Sequence, residues 1–296
     1  MATPLISTTE LAGRLNSPDL RVFDVRHDLT DHAAGRHAYE QGHIPGARYL
    51  DHETELAAPR TGKNGRHPLP TRESLAALLA AHGVGPDTFV VAYDASGGAY
   101  AAHLWWMLRW LGHERVAVLD GGWQGWTAAG MPTATEVPAP VDNEKGASSV
   151  SYAEQTESPS LLSEASVGTV DADAVLANLS APAFTILDAR AANRYRGEVE
   201  PMDPVAGHIP GALNRPNGEN LQSDGRFKDA AQLRAEFEAL LGDRDPTTIV
   251  HQCGSGITAC HNLLAMEIAG LSGSRLYPGS WSEWCSDSSR PVARDV

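Results

Sequence analysis

The hexapeptide Gly-His-Ile-Pro-Gly-Ala occurs twice in this chain, at 42–47 and 207–212, so that His43 recurs as His208 with an offset of 165. Upstream of each copy an apolar run ends in an acid and an arginine. Val22-Phe23-Asp24-Val25-Arg26 answers Ile186-Leu187-Asp188-Ala189-Arg190, and Asp24 maps to Asp188 with an offset of 164. Downstream, Trp123 and Trp126 map to Trp281 and Trp284, both offset by 158. Landmarks kept in one order at nearly one spacing mean two copies of one folding unit, and the drift in offset is what loop insertions and deletions leave behind. We place the copies at 5–132 and 168–290. Between them, 133–167 is rich in Ser, Glu, Pro and Ala with little apolar periodicity and reads as a surface linker, part of it packed as a strap or short helix.

Within each copy, short β-type runs alternate with helical ones. The first reads as a helix capped by Ser7 or Thr8 and running to 15, a strand at 20–25, a helix at 75–82 begun near Thr71, a strand at 89–93, a helix at 99–111 and a strand at 116–119. The second repeats it: helix from 171, strand 184–187, helix 231–241, strand 247–250, helix from 258, strand near 275–277. Alternation of this kind predicts an α/β protein, two tandem domains each with a mostly parallel sheet covered by helices on both faces. Sites in such sheets lie at the carboxyl ends of strands. His43 and His208, beside Pro-Gly turns, read as residues that tie down backbone.

The chain of 296 residues carries a formal charge of −14, which disfavours nucleic acid as a partner. An anionic substrate would be repelled at long range and must be held by a local group of arginines. No apolar run approaches the ~20 residues needed to span a bilayer, and no membrane partner is expected. The first residues show no basic or apolar leader pattern. Three cysteines, Cys253, Cys260 and Cys285, make no disulfide framework, and a reducing cytoplasm is the expected location. His27, His32, His37 and His43 lack the paired spacing of a metal-binding helix; solvated or locally hydrogen-bonded rings are expected, with no metal or organic cofactor.

One cysteine stands apart. Cys253-Gly254-Ser255-Gly256-Ile257-Thr258-Ala259 joins a β-type run to a helical one, a glycine-rich turn whose amides can converge on a thiolate at the positive end of a helix. At the equivalent strand end the first copy has Asp94, a carboxylate that cannot do a thiolate's chemistry, so that chemistry belongs to the second copy. Six residues after Cys253 comes Ala259 rather than the arginine that a Cys-x5-Arg phosphatase needs.

Taken together, the strand-end Asp and Arg, Gly-His-Ile-Pro-Gly-Ala in both halves, a cysteine loop in the second half only, and the closing Gly-Ser-Trp-Ser-Glu-Trp at 279–284 resemble the two-domain rhodanese family, the thiosulfate and 3-mercaptopyruvate sulfurtransferases, over nearly the whole chain. The resemblance implies an enzyme that moves a sulfane sulfur from a small anionic donor, 3-mercaptopyruvate or thiosulfate, to a thiol or cyanide acceptor through a persulfide on Cys253. A sulfur carrier or binding module with little turnover is the alternative. Amides of Gly254, Gly256, Ile257 and Thr258 would stabilise the persulfide. The loop looks like the mercaptopyruvate type, since Gly254 and Ser255 stand where thiosulfate enzymes place cations. It further implies a relay of Ser255, His67 and Asp51 that polarises the donor's carbonyl or shuttles a proton, and Arg194 as the residue that holds the donor's charge. The second arginine of that clamp is missing from 198–203, which carries three acids; Arg196 is a candidate substitute. Trp281 is expected to wall the pocket, Cys260 to be buried and Cys285 to be accessible.

Overall fold

A computed structural model describes residues 3–139 and 161–295, so the Ser-rich centre of the linker lies outside the described residues. The first copy runs β1 (Leu5–Ile6), α1 (Thr8–Arg14), β2 (Leu20–Asp24), α2 (Ala34–Gln41), β3 (Arg48–Tyr49), α3 (Arg72–Ala81), β4 (Phe89–Tyr93), α4 (Ala99–Trp110), β5 (Val116–Leu119) and α5 (Gly122–Ala128). The second runs α6 (Ala172–Ser180), β6 (Thr185–Asp188), α7 (Ala192–Arg196), β7 (Leu213–Asn214), α8 (Ala230–Leu241), β8 (Ile249–Gln252), α9 (Ile257–Ile268), β9 (Arg275–Leu276) and α10 (Ser280–Trp284). Every named strand pair is parallel, in the orders β1-β5-β4-β2-β3 and β7-β6-β8-β9. Helices start where short polar side chains can take up free amides. Ser7 forms a reciprocal box with Glu10, and Thr71, Asp171 and Asp229 each accept from the amide three residues on.

The repeated motifs turn out to be one structural device. In each half the strand-end acid binds the arginine two residues later, Arg26 Nη2 to Asp24 Oδ2 at 2.6 Å and Arg190 Nη2 to Asp188 Oδ2 at 2.7 Å. The same guanidinium donates to the carbonyl of the motif's first glycine, Gly42 at 2.7 Å or Gly207 at 2.8 Å. It also stacks on the later tryptophan, Trp123 at 4.5 Å or Trp281 at 4.6 Å. Three landmarks far apart in sequence thus close on one buried cation whose charge is compensated within bonding distance. His43 and His208 do fix backbone: each places Nδ1 2.8 Å from a carbonyl, of Tyr39 and Tyr195 respectively, and stacks on that tyrosine.

The halves join through α4 and α9, the helices that follow the Asp94 and Cys253 loops. Both are buried over most of their length, as expected of helices that are apolar all round. One core cluster draws residues from both halves, among them Trp106, Leu108, Leu263 and Met266. Arg109 Nη1 meets Glu267 Oε1 at 3.0 Å, and His261 Nε2 lies 3.0 Å from the Gly97 carbonyl. This packing sets the N-termini of the two loop helices side by side. The described linker end crosses the same helix, where Leu161 is buried and the Ser163 amide donates to the Leu111 carbonyl.

The core holds several histidines with depressed pKa values. Burial pushes His103 and His251 down to about 3 and His261 to about 4. Unfolded imidazoles titrate near ~6.5, so between about pH 4 and 6.5 the unfolded chain binds more protons than the folded one and stability falls as pH falls. The urea midpoint should therefore drop clearly between pH 7.5 and pH 5; an unchanged midpoint would show that these rings are already charged or exposed in the native state.

Candidate active site

The loop after β8 is set by its glycines and by the start of α10. Gly256 has φ +90°, and a Cβ there would lie 2.6 Å from the Pro278 carbonyl oxygen, so only glycine fits. The Cys253 amide donates to Ser280 Oγ at 3.1 Å, while the carbonyls of Cys253 and Gly254 accept from the amides of Trp281 and Ser282 at 3.0 and 2.9 Å. Ser280, at φ 54°, is the single non-glycine residue at positive φ among the described residues. Strain of order 1–3 kcal/mol is thus held directly behind the thiol. Cys253 Sγ accepts from the Gly256 amide at 3.2 Å.

The matching turn of the first half shows what such a loop can hold. Asp94 accepts from the amides of Ser96, Gly98, Tyr100 and Ala101 at 2.7–2.9 Å. Burial pushes its pKa up and those amides oppose the shift. Four backbone donors on one fixed carboxylate make an anion cradle with the anion built in.

Cys253 opens on a cavity of about 170 Å³ lined by residues of both halves, including Leu29, Arg66 and Tyr100 of the first and Arg190, Arg194 and Thr258 of the second. Gly254, Ser255 and Ile257 also line it. A larger cavity, about 500 Å³ between Phe89 and Trp105, has no cysteine or histidine in its wall. A Cβ on Gly254 would stand 2.9 Å from Arg66 Nη2 and 3.7 Å from Arg194 Nη1, so both guanidiniums hang over the residue beside the nucleophile. Arg66 is the cation that sequence reasoning missed; it adjoins His67, in the other half from where the second arginine was sought. The acids at 200 and 203 are the counterions of this group: Arg194 Nη2 meets Glu200 Oε1 at 2.6 Å, and Arg66 Nη1 meets Asp203 Oδ1 at 2.7 Å. Arg196 is half-buried and pairs with Glu198 at 2.6 Å, away from the cavity.

Ser255 Oγ lies 2.7 Å from His67 Nδ1, and His67 Nε2 lies 2.7 Å from Glu53 Oε1. Burial pushes His67 down to about 4, against the pull of Glu53. Glu53, which burial would raise, is held below the ordinary glutamate value by His67 and Arg60. A neutral imidazole donating from Nε2 to a carboxylate leaves Nδ1 as an acceptor for the serine hydroxyl. The acid is not Asp51, which corrects the expected relay. Asp51 Oδ1 accepts from the amides of Glu53 and Thr54 at 2.8 and 3.0 Å and caps the turn that presents Glu53. An Asp bonding amides two and three residues on is a turn signature, and that signal could have moved the assignment to Glu53.

Three further expectations are corrected. Trp281 does not line the cavity; it is fully buried, stacks on Arg190 and donates from Nε1 to the Val205 carbonyl at 2.8 Å. Cys285 is buried, and burial pushes its pKa up to about 11. His27 is neither solvated nor locally hydrogen-bonded: it is buried, and neither ring nitrogen has a hydrogen-bond partner among the described residues. Cys260 is buried as expected, its Sγ donating to the Gly256 carbonyl at 3.3 Å.

Fold and site together define a tandem α/β protein in which one half carries a cysteine in an amide-lined loop and the other supplies a histidine and an arginine to it. The rhodanese-like domain model matches residues 7–129 and 171–287, and the chain belongs to the rhodanese family of sulfurtransferases. It is 47% identical to a probable 3-mercaptopyruvate sulfurtransferase of Pseudomonas aeruginosa, over 98% of this chain and 97% of that one. It is 33% identical to the thiosulfate sulfurtransferase of Bos taurus, over 96% and 91%. The structure of 3-mercaptopyruvate sulfurtransferase from Leishmania major superposes with a TM-score of 0.78 at 28% identity, covering 97% of this chain and 75% of that one. No helix among the described residues is long and apolar enough to cross a membrane.

Proposed function

We propose that this enzyme takes sulfur from 3-mercaptopyruvate in preference to thiosulfate, carries it as a persulfide on Cys253 and passes it to a thiol or to cyanide. The observation that carries the donor preference is the hydrogen-bonded chain Ser255–His67–Glu53 beside the thiol. The Cys253 thiolate attacks the donor's sulfur; an S–S bond forms, the C–S bond breaks, and its electron pair passes to carbon as the enolate of pyruvate. In net balance the donor's thiol proton ends on that carbon. A serine hydroxyl backed by a neutral imidazole can take the proton from sulfur and return it to the enolate. Thiosulfate has no such proton to move and releases sulfite directly. The acceptor thiolate then attacks the outer sulfur, and the S–S electron pair returns to Cys253.

Amides of Gly254 to Thr258 would hold the persulfide's charge as the sister loop holds Asp94. Arg194 and Arg66 would hold the donor's carboxylate. Glu200 and Asp203 already neutralise part of that positive field, which suits a monoanion better than a dianion. Three free cysteines fit a reducing compartment, and we place the activity in the cytoplasm.

The deciding experiment compares kcat/KM for the two donors with one acceptor. Mercaptopyruvate should lead; thiosulfate equal or better would overturn the preference. Arg66→Met should raise KM for mercaptopyruvate by about tenfold or more, the worth of a charge-assisted hydrogen bond, with a smaller change in kcat. The pair Arg66→Met with Asp203→Asn should behave alike, which separates loss of the clamp from an orphaned acid. An unchanged KM in both would remove Arg66 from donor binding.

A further inference from the structure

Behind the relay, two histidines not needed for sulfur transfer converge on its carboxylate. His27 Nε2 lies 3.8 Å and His32 Nδ1 3.7 Å from Glu53 Oε1, and the three ligand atoms lie within 4.8 Å of one another. We propose that His27, His32 and Glu53 form a site for a divalent transition-metal ion such as Zn²⁺, and that filling it draws Glu53 off His67 and so slows the use of mercaptopyruvate.

The donor set suits the ion. Two imidazoles and a carboxylate are ligands of zinc and its neighbours, whereas Mg²⁺ and Ca²⁺ prefer oxygen alone. Metal–ligand distances of about 2.0–2.1 Å in a tetrahedron put ligand atoms about 3.3 Å apart, so each histidine–carboxylate pair must close by a few tenths of an ångström and the two histidines, within 4.8 Å of each other, by up to about 1.5 Å. His32 lies on an exposed loop ahead of α2 and can make that move. It also leaves a face open to water, which would supply the fourth ligand and the entry path. His27 supplies the independent sign. Its side chain is 1% exposed, Nε2 faces Glu53 at a distance too long for a hydrogen bond, and neither ring nitrogen has a hydrogen-bond partner among the described residues. Tyr100, His52 and His67 pack around the ring without bonding it. A buried polar atom left in this state costs free energy that a ligand can recover.

The link to activity lies in one oxygen. Glu53 Oε1 is the atom that His67 Nε2 touches at 2.7 Å, and it is also the nearest to both His27 and His32. An oxygen donating its lone pair to a dication is a weaker acceptor for an imidazole N–H, so His67 loses the partner that fixes its tautomer. Arg60, on the other carboxylate oxygen, is half-exposed and can swing into solvent as the metal arrives. The ion is a brake rather than a cofactor. Its binding stands apart from the proposed function, while the braking rests on the relay described above.

The test uses full-length protein in the Cys253→Ser background, so that the nucleophile cannot take the metal. Equilibrium dialysis with Zn²⁺, and the visible ligand-field spectrum with Co²⁺, should show one bound equivalent. His27→Ala or His32→Ala should weaken it by at least the ~10-fold that loss of even an outer-shell partner costs. No binding in Cys253→Ser, or undiminished binding in both histidine variants, overturns the site. With Cys253 intact, Zn²⁺ should slow single-turnover pyruvate release and spare sulfite release from thiosulfate, each relative to the same variant without metal. His32→Ala should blunt that inhibition. A bound ion that leaves pyruvate release unchanged keeps the site and overturns the braking.

Discussion

Cys253→Ser should remove sulfur transfer from both donors to every acceptor, a loss on the order of 10⁴-fold or more in kcat, because a hydroxyl in the same place neither ionises readily nor holds a transferable sulfur. The fold should survive, since the swap is small and the loop is held by backbone contacts to Ser280, Trp281 and Ser282. The other two cysteines provide the control. Cys260 lies inside α9 with its thiol bonded to the Gly256 carbonyl, and burial pushes its pKa well up. Cys285 is likewise buried and raised. Cys260→Ser and Cys285→Ser should keep turnover when compared at equal folded fraction. A comparable loss in either would move the nucleophile away from Cys253.

His67→Ala should lower kcat/KM for mercaptopyruvate by about 10²–10⁴-fold, the usual worth of a positioned acid–base group, while thiosulfate falls far less. Glu53→Gln should follow in the same direction, because an amide can donate to Nε2 and turn the imidazole so that Nδ1 no longer accepts from Ser255. Asp51→Asn provides the contrast. Its oxygen can still cap the turn at the Glu53 and Thr54 amides, so activity should stay near that of the parent protein. Equal losses with both donors would mean that His67 serves the architecture of the loop rather than a proton. A large loss in Asp51→Asn with none in Glu53→Gln would restore the relay expected from sequence.

What could be read beforehand follows a physical line. β4 and β5 match the expected 89–93 and 116–119 because strands buried on both faces appear as unbroken apolar runs between turns. Of the two-residue strands, β1, β3 and β7 have no period to detect, while β9 falls within the expected 275–277. Helix α2, with the polar run Ala-Gly-Arg-His-Ala-Tyr-Glu-Gln, has only Gly35 and Tyr39 buried, and nothing in its sequence marks it as core. β8 starts at Ile249 rather than 247 because Asp245 caps a 3₁₀ turn over Pro246–Thr248, bonding the Thr247 amide at 2.9 Å. Within the site, the cysteine loop was legible because its chemistry is local: strand, glycines and helix in one run. Arg66 and the burial of Trp281 were not, because each depends on contact with a distant part of the chain, whereas Glu53 was within reach of the local turn signal at Asp51. Arg66 lies 137 residues from its partner Asp203, and His67 lies 188 from Ser255. A motif can name a histidine, and the turn before it its carboxylate, but only the packing of the two halves through α4 and α9 brings them to Ser255.

The central claim is that Cys253 bears the sulfur in flight. It is tested most directly by incubating the protein with mercaptopyruvate, without acceptor, and measuring the mass of the peptide that contains Cys253. The account predicts one added sulfur atom on that peptide alone, removed by cyanide as thiocyanate. Added sulfur on the Cys285 peptide, or pyruvate released with Cys253 unmodified, would contradict it.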